Sequence, residues 1–314
     1  MRLLTILVRS RIVLHRKVLD MYTKKKSLRD IGSAFVFLGP SLFAFTCVLM
    51  IPMFYGVFLT FTDYHPIHGM HNFVGLDNFR TAFTDQVFFR QMGVTLRYVV
   101  ISTILVNVVA FSLAYVLTTK LRLRNIVRTG FFTPNLIGGI ILGYIWRFIF
   151  ANVLTPIGRN FDIAMLSTSF LTHPDRALNA MIIVTIWQYA GYLMVIYIAG
   201  FISIPKDIQE AAALDRASGL RKVFFITIPL MVPSFIICFF ITVSRTFMTY
   251  DLNLALTGGD PFGTTRLVPM HIFQVAFQQN RYGVGQAQAI MLFVVVAVIA
   301  VTQVLIAKRY EVES

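Results

Sequence analysis

The sequence predicts an all-α integral membrane bundle of six transmembrane helices. Three observations carry this expectation. Of the 314 residues, 57% are hydrophobic and 13% are charged, whereas a soluble domain is roughly a quarter charged. The apolar residues gather into six runs near the length of about 20 residues that a bilayer requires. Lys and Arg concentrate between alternate runs, which is a topology signal.

The expected spans are 33–61, 93–118, 129–150, 178–201, 224–248 and 283–307. The first is longer than needed and contains Pro40 and Pro52, so it should kink or tilt. The third and fifth carry Arg147 and Arg245. An arginine near a span end can snorkel to the interface, which is the reading for Arg147. Arg245 lies deeper and should border a cavity. The fourth and sixth runs are uninterrupted by charge. After the fifth run, Gly258-Gly259-Asp260-Pro261 reads as a turn. The stretch 267–277 that follows is too short to span, and should be a short helix dipping back towards the bundle.

Placing the N-terminus inside puts nineteen Lys and Arg in the inner segments and six in the outer loops. Both termini are therefore expected in the cytoplasm. The organisation read from this is a basic N-terminal segment (1–30), a first span with its outer loop (31–92), a core of five helices (93–307) and a short tail (308–314). The apolar stretch 3–8 is too short for a secretory signal and is followed by Arg9 and Arg11, so no cleaved leader is expected. A basic amphipathic segment near anionic lipid fits better, and Met21 offers a second start.

The net charge of +14 raises nucleic acid as a partner, but the basic residues sit between apolar runs, which excludes it. Cys47 and Cys238 lie within apolar runs at no metal-ligand spacing, and are expected as free thiols. His65, His68 and His71 recur every three residues. Pro66 and Gly69 between them argue for an irregular loop rather than a metal-binding helix face. No metal and no cofactor is expected on this chain. No Gly is followed by Lys, so there is no phosphate-binding loop and no expected ATP hydrolysis by the chain alone. No catalytic constellation is evident.

The most informative segment is the third inner loop, 203–225. Pro205 stands where a helix begins and Asp207 places negative charge in its first turn. Ala211 to Ala213 favour helix and leave a smooth surface for close approach. Ser218-Gly219 breaks the helix, and a second begins at Leu220. A helix–turn–helix on the inner membrane face has the order that a docking element needs.

This loop resembles the EAA loop of bacterial ATP-binding-cassette import permeases. Glu210, Ala211, Ala212, Ile226 and Pro229 match its pattern. Arg216 stands where the family has Gly, and Gly219 is placed to make the bend instead. Elsewhere the chain resembles the sugar-type branch of maltose and glycerol-phosphate permeases. The matching segments are 73–79, Trp146-Arg147, Trp187, Ala199-Gly200, Ile204-Pro205, Asp251 and Leu256-Thr257-Gly258-Gly259-Asp260-Pro261. The resemblance implies a type I importer permease fold. It implies that Glu210, Ala211, Ala212, Asp215, Arg216 and Gly219 couple the chain to a separate ATPase. The implied partners are a second homologous permease in a heterodimer, two cytoplasmic ATPase subunits carrying ATP and Mg, an extracytoplasmic solute-binding protein, membrane lipid and a carbohydrate solute. A non-sugar solute or a sugar phosphate is the near alternative. An ion-coupled secondary transporter would need Asp or Glu within a span, and the runs contain none.

A sugar pathway needs hydroxyls and amides beside aromatic faces near the bilayer midplane. The fourth run offers Thr185, Gln188, Tyr189 and Tyr192, with Trp187. Thr185, Gln188 and Tyr192 share a helix face. The fifth offers Thr242, Thr246, Thr249 and Tyr250, with Asp251 just beyond. Thr residues also make ordinary helix–helix hydrogen bonds, but the cluster as a whole favours a pocket. The resemblance implies that Tyr192 and Thr246 or Thr249 touch sugar.

Overall fold

A computed structural model of the chain describes residues 28–66, 69, 72–118, 123–215 and 219–310. The basic segment up to residue 27, His68, His71, Arg216 and residues 311–314 lie outside them. The chain divides into two compact units, Met1–Phe58 and Leu59–Ser314.

In the first unit, α1 (Leu28–Phe45) passes through a widened turn, Thr46–Met50, into α2 (Ile51–Leu59). The Ile51 amide donates to the Thr46 carbonyl across that turn. Pro52 explains it, because its ring crowds the carbonyl four residues back and the helix opens by one residue. Val36–Leu59 is long and apolar enough to cross a membrane.

The second unit holds α3 (Asp77–Thr84), α4 (Gln86–Leu117), α5 (Arg124–Phe132), α6 (Gly139–Phe148), α7 (Leu154–Asn160), α8 (Pro174–Ser203), α9 (Lys206–Leu214), α10 (Gly219–Lys222), α11 (Ile228–Leu230), α12 (Val232–Phe247), α13 (Asp251–Leu256), α14 (Val268–Phe273) and α15 (Tyr282–Tyr310). Helices α4, α8 and α15 are continuous and long enough to cross the hydrocarbon core with turns to spare. Arg97, inside the second expected run, pairs with Asp175 at 3.5 Å, with both side chains exposed.

Two expected spans take a different form. The third run was read as 129–150. Instead α5 ends at Phe132, a 3-10 turn occupies Thr133–Leu136, Ile137 and Gly138 are extended, and a new helix crosses as Gly139–Asn160. Pro134 lacks the amide that would continue α5, and Gly138-Gly139 lets the chain restart. The fifth run was read as a single span, 224–248. It is bent by 77° between Gly219–Leu230 and Val232–Phe247. Pro229 and Pro233 flank the bend at Met231, each removing a backbone donor. The stretch after the Gly-Gly turn does form the short helix α14, extended by a wide turn to Gln278.

Close packing relies on small residues, as it does where lipid supplies no hydrophobic drive between helices. The Phe131 carbonyl of α5 rests directly on Gly191 of α8, where any Cβ would collide with it. A Cβ on Gly143 would stand 2.5 Å from that of Ala255, so α6 and α13 run in near backbone contact. Near the C-terminal end of α8, Gly200 lies against the Ser234 hydroxyl of α12.

Buried polar groups join the three central helices at two levels. Asn107 on α4 donates to Thr242 Oγ1 on α12 at 3.2 Å and accepts from the Tyr197 hydroxyl on α8 at 2.8 Å. Nine residues earlier on α4, the Tyr98 hydroxyl sits 2.6 Å from Thr185 Oγ1 on α8 and 3.4 Å from Thr249 Oγ1 beyond α12. A third centre fastens the N-terminal end of α4. The Asp85 carboxylate caps α4, accepting from the amides of Val87 and Phe88, and also accepts from Gln288 on α15 at 2.9 Å. His271 Nε2 of α14 lies 3.5 Å from the same carboxylate.

Two expectations follow. Asn107→Ala leaves the Tyr197 hydroxyl buried without its acceptor, and should cost about 1–2 kcal/mol. The unfolding midpoint in detergent would report this, and an unchanged midpoint would mean that the amide does not hold the helices. His271, outside the spans, is pushed below the ordinary imidazole value by burial, opposed by Asp85 and assisted by Arg266. Its native form is thus neutral, and the stability this brings is complete above about pH 6.5 and declines as pH falls below it. Thermal midpoints from pH 7.5 to 5 should fall, and His271→Gln should flatten the profile.

Candidate functional site

The break in the third run and the bend in the fifth place two sets of side chains. The first set lies along α8 and α12. Arg245 of α12 reaches over two rings of α8, 5.3 Å from the Tyr189 centroid and 5.2 Å from that of Tyr192. Its guanidinium also approaches Asn135 Oδ1 at 3.4 Å. Asn135 sits in the 3-10 turn that interrupts the third run. The same interruption frees the Ile137 carbonyl, which accepts from Gln188 Nε2 at 3.2 Å. Arg245 is exposed, and Tyr189, Tyr192 and Asn135 are half-buried. A cation between two phenol faces is favourable, the more so once desolvated.

Other candidates on these helices face the packed interior. Thr185 and Thr246 are fully buried. Thr246 bonds its own helix at the Thr242 carbonyl. Thr185 and Thr249 share Tyr98 and thus lock α4, α8 and α12 together behind the exposed cluster. Gln188 is buried and committed to Ile137. Tyr250 is half-buried and packs on Phe273 of α14 at 5.2 Å. Asp251 is exposed at the start of α13, whose close approach to Gly139 sets it beside the restarted third helix. Trp187 packs edge-on against Trp146, on a different face of α8 from Tyr189. The structure thus separates a surface of Tyr189, Tyr192, Arg245, Asn135 and Asp251 from a supporting layer of Tyr98, Thr185, Gln188, Thr246 and Thr249.

Asn135 and Tyr98 were not read from the sequence. Pro134 ahead of Gly138-Gly139 was the available signal for the first. For Tyr98 there was none, since an aromatic inside an apolar run is ordinary.

Beyond this surface, Asn253 of α13 organises the Gly-Gly turn. Its amide nitrogen donates to the Thr265 carbonyl at 2.9 Å and to Thr257 Oγ1 at 3.0 Å, and its oxygen accepts from the Leu267 amide at 3.0 Å. Gly258 and Gly259 have φ of +63° and +89°, values that ordinary side chains disfavour.

The second set is the inner loop. On α9, Asp207, Glu210, Ala211 and Leu214 share one outward face by helical spacing, and all four are exposed. Leu214 is 85% exposed. Ala212 is buried on the opposite side. Gln209 ties the helix back to the Ile204 carbonyl at 3.2 Å. Asp215 is exposed at the C-terminal end, and Gly219, with φ of +57°, lies at the start of α10. The chain between them, including Arg216, is outside the described residues. Leu214, Ala211 and the carboxylates of Asp207 and Glu210 thus form one continuous exposed face of α9. Among the described residues no group of three or more His, Cys, Asp or Glu could hold a metal ion.

Comparison with known proteins gives a consistent answer. Residues 107–312 match the family model described as binding-protein-dependent transport system inner membrane component. A relative from Thermoanaerobacterium thermosulfurigenes, "Probable starch degradation products transport system permease protein AmyD", is 40% identical over 88% of this chain and 94% of its own length. The multiple sugar-binding transport system permease protein MsmF of Streptococcus mutans is 30% identical over 83% of this chain and 90% of its own. A crystal structure of a bacterial ABC transporter involved in the import of the acidic polysaccharide alginate superposes with a TM-score of 0.78. It is 22% identical, with 92% of this chain and all of that chain covered. That match shows the importer permease fold expected from the sequence. The chain belongs to the binding-protein-dependent transport system inner membrane component family, and is a multi-pass membrane permease.

Proposed function

We propose that this member of the family carries a carbohydrate, in the oligosaccharide range, across the cytoplasmic membrane by alternating access. The observation that carries the reading is the exposed Arg245–Tyr189–Tyr192 cluster with Asn135 and Asp251. Tyrosine faces suit the C–H faces of sugar rings, and the amide, carboxylate and guanidinium suit their hydroxyls. The cluster is open on one side, as half of a pocket closed by a second permease would be. The names of the relatives from T. thermosulfurigenes and S. mutans, which refer to starch degradation products and multiple sugars, support the same solute class.

In this reading the chain binds no nucleotide and needs no cofactor. Two cytoplasmic ATPase subunits hold ATP and Mg, and α9 inserts into one of them through Glu210, Ala211, Leu214 and Asp215. Both termini are cytoplasmic, which puts the inner loop on the ATPase side. A solute-binding protein delivers sugar to the outer face. A related assembly has been crystallised in complex with an alginate pentasaccharide-bound periplasmic protein. Closure of the ATPases moves α9, and the direct contact of α8 with α12 at Gly200 passes the motion to the helices bearing the cluster.

Arg245 supports a second reading, in which the solute carries an acidic group such as a uronate or a phosphate. The guanidinium would pair with it while the tyrosines stack on the ring.

Three outcomes are expected in vesicles containing the assembled transporter. Glu210→Lys should abolish solute-stimulated ATP hydrolysis and uptake together, and normal uptake would remove the docking role. Tyr192→Ala should raise the KM for uptake severalfold, up to about tenfold, while leaving basal ATP hydrolysis near normal, as expected for loss of one ring-stacking contact. Arg245→Gln should reduce uptake of acidic oligosaccharides far more than of neutral ones if the second reading holds. An equal effect on both would return the solute to the neutral class.

A further inference from the structure

At the inner end of the second unit, α4, α5, α8 and the loop after α8 enclose a cleft of about 560 Å³. Arg124 and Arg128 line it from α5, Lys206 from the start of α9 and Lys222 from the end of α10. No Asp or Glu lines it. None of these four cations forms an ion pair with a described residue. Four like charges around one space repel each other, and they stand there without a counter-ion among the described residues. Asn125 and Gln209 add amide donors among them. The floor is apolar, with Phe201 and Ile202 of α8, and Ile202 is 75% exposed, so the apolar wall continues onto the outer surface of the chain. Cations and amides above an apolar skirt match a molecule that is anionic at one end and greasy at the other.

We propose that this cleft binds the phosphate of an anionic phospholipid of the inner leaflet, with the first carbons of its acyl chains against Ile202. A phosphate is the shared chemistry of a lipid headgroup and a soluble phosphate ester. The apolar floor and its continuation to the surface select the lipid. The occupant would tie α5 to the inner loop through one anion, so that membrane composition bears on how firmly α9 is held. This rests on the cytoplasmic placement of the inner loop given above, but not on the identity of the solute.

The test measures lipid, not transport, and so can fail while the solute reading stands. The full chain in neutral detergent is titrated with phosphatidylglycerol or phosphatidylcholine, and bound lipid is counted by native mass spectrometry. One phosphatidylglycerol should bind before any phosphatidylcholine does. Each cation near an anionic lipid contributes about a fivefold factor, so Arg124→Gln with Arg128→Gln should weaken that first site roughly 25-fold. Lys206→Gln with Lys222→Gln, on different elements, should do the same, and Arg124→Lys with Arg128→Lys should retain it. Full first-site affinity in both charge-removing pairs would overturn the proposal. So would equal occupancy by glycerol phosphate in place of lipid, which would assign the cleft to a soluble anion. Loss of ATPase co-purification with lipid affinity unchanged would assign the four cations to subunit docking, and would overturn it as well.

Discussion

The Asn107 carboxamide, buried between apolar helices, is the constraint on which the core of this protein depends. In an apolar phase every polar group must find its partner within the protein. Asn107 finds three: the Thr103 carbonyl on its own helix, and the Tyr197 hydroxyl and Thr242 Oγ1 on two other helices. The amide therefore sets the register of α4, α8 and α12 together. Tyr98, Thr185 and Thr249 repeat the arrangement further along the same three helices. With two levels joined, the helices cannot slide past each other without orphaning hydroxyls at both.

That rigidity gives the exposed cluster and the loop after α8 a common frame. The exposed cluster of Arg245, Tyr189 and Tyr192 lies on α8 and α12, along the stretch bounded by the two buried centres. The inner loop is the chain that leaves α8 and returns to α12. Gly200 brings those helices into contact just before the loop begins, and the 77° bend at Met231 turns the returning segment across the bundle. In the proposed mechanism a push on α9 would reach helices whose register is already locked, which favours movement as a body over local distortion.

Helix breaks, elsewhere a source of instability, here supply specific contacts between helices. Pro134 and Gly138-Gly139 interrupt the third run and expose Asn135 to Arg245 and the Ile137 carbonyl to Gln188. Lipid-facing backbone could not be left this way. It is tolerated because side chains from neighbouring helices take up the freed groups. The Gly-Gly turn after α13 is handled similarly, with Asn253 supplying three hydrogen bonds to a segment without regular structure of its own.

The sequence by itself determined the class of the protein, the number of apolar crossings and the inner loop. These are local properties: run length, charge between runs, and the Pro205, alanine and Gly219 signals that start and stop short helices. It also marked Arg245, because a cation in an apolar run is costly, and Tyr189 and Tyr192, because they stand beside Thr185 and Gln188 as a polar set on one run. Tertiary structure decided which polar residues are left accessible and which serve packing. Thr185 shares a helical spacing with Tyr192, yet it turns inwards, because Tyr98 stands opposite it on a helix some ninety residues away in sequence, while Thr249 meets the same hydroxyl from beyond α12 and Thr246 bonds back to its own helix. It also decided where the third crossing runs, because a Pro and a Gly pair can kink a helix or end it. The choice between those outcomes rests on whether neighbours can satisfy the exposed backbone. Hydrogen-bond partners across a bundle are set by register between helices, and register is a property of the packed assembly rather than of any one segment.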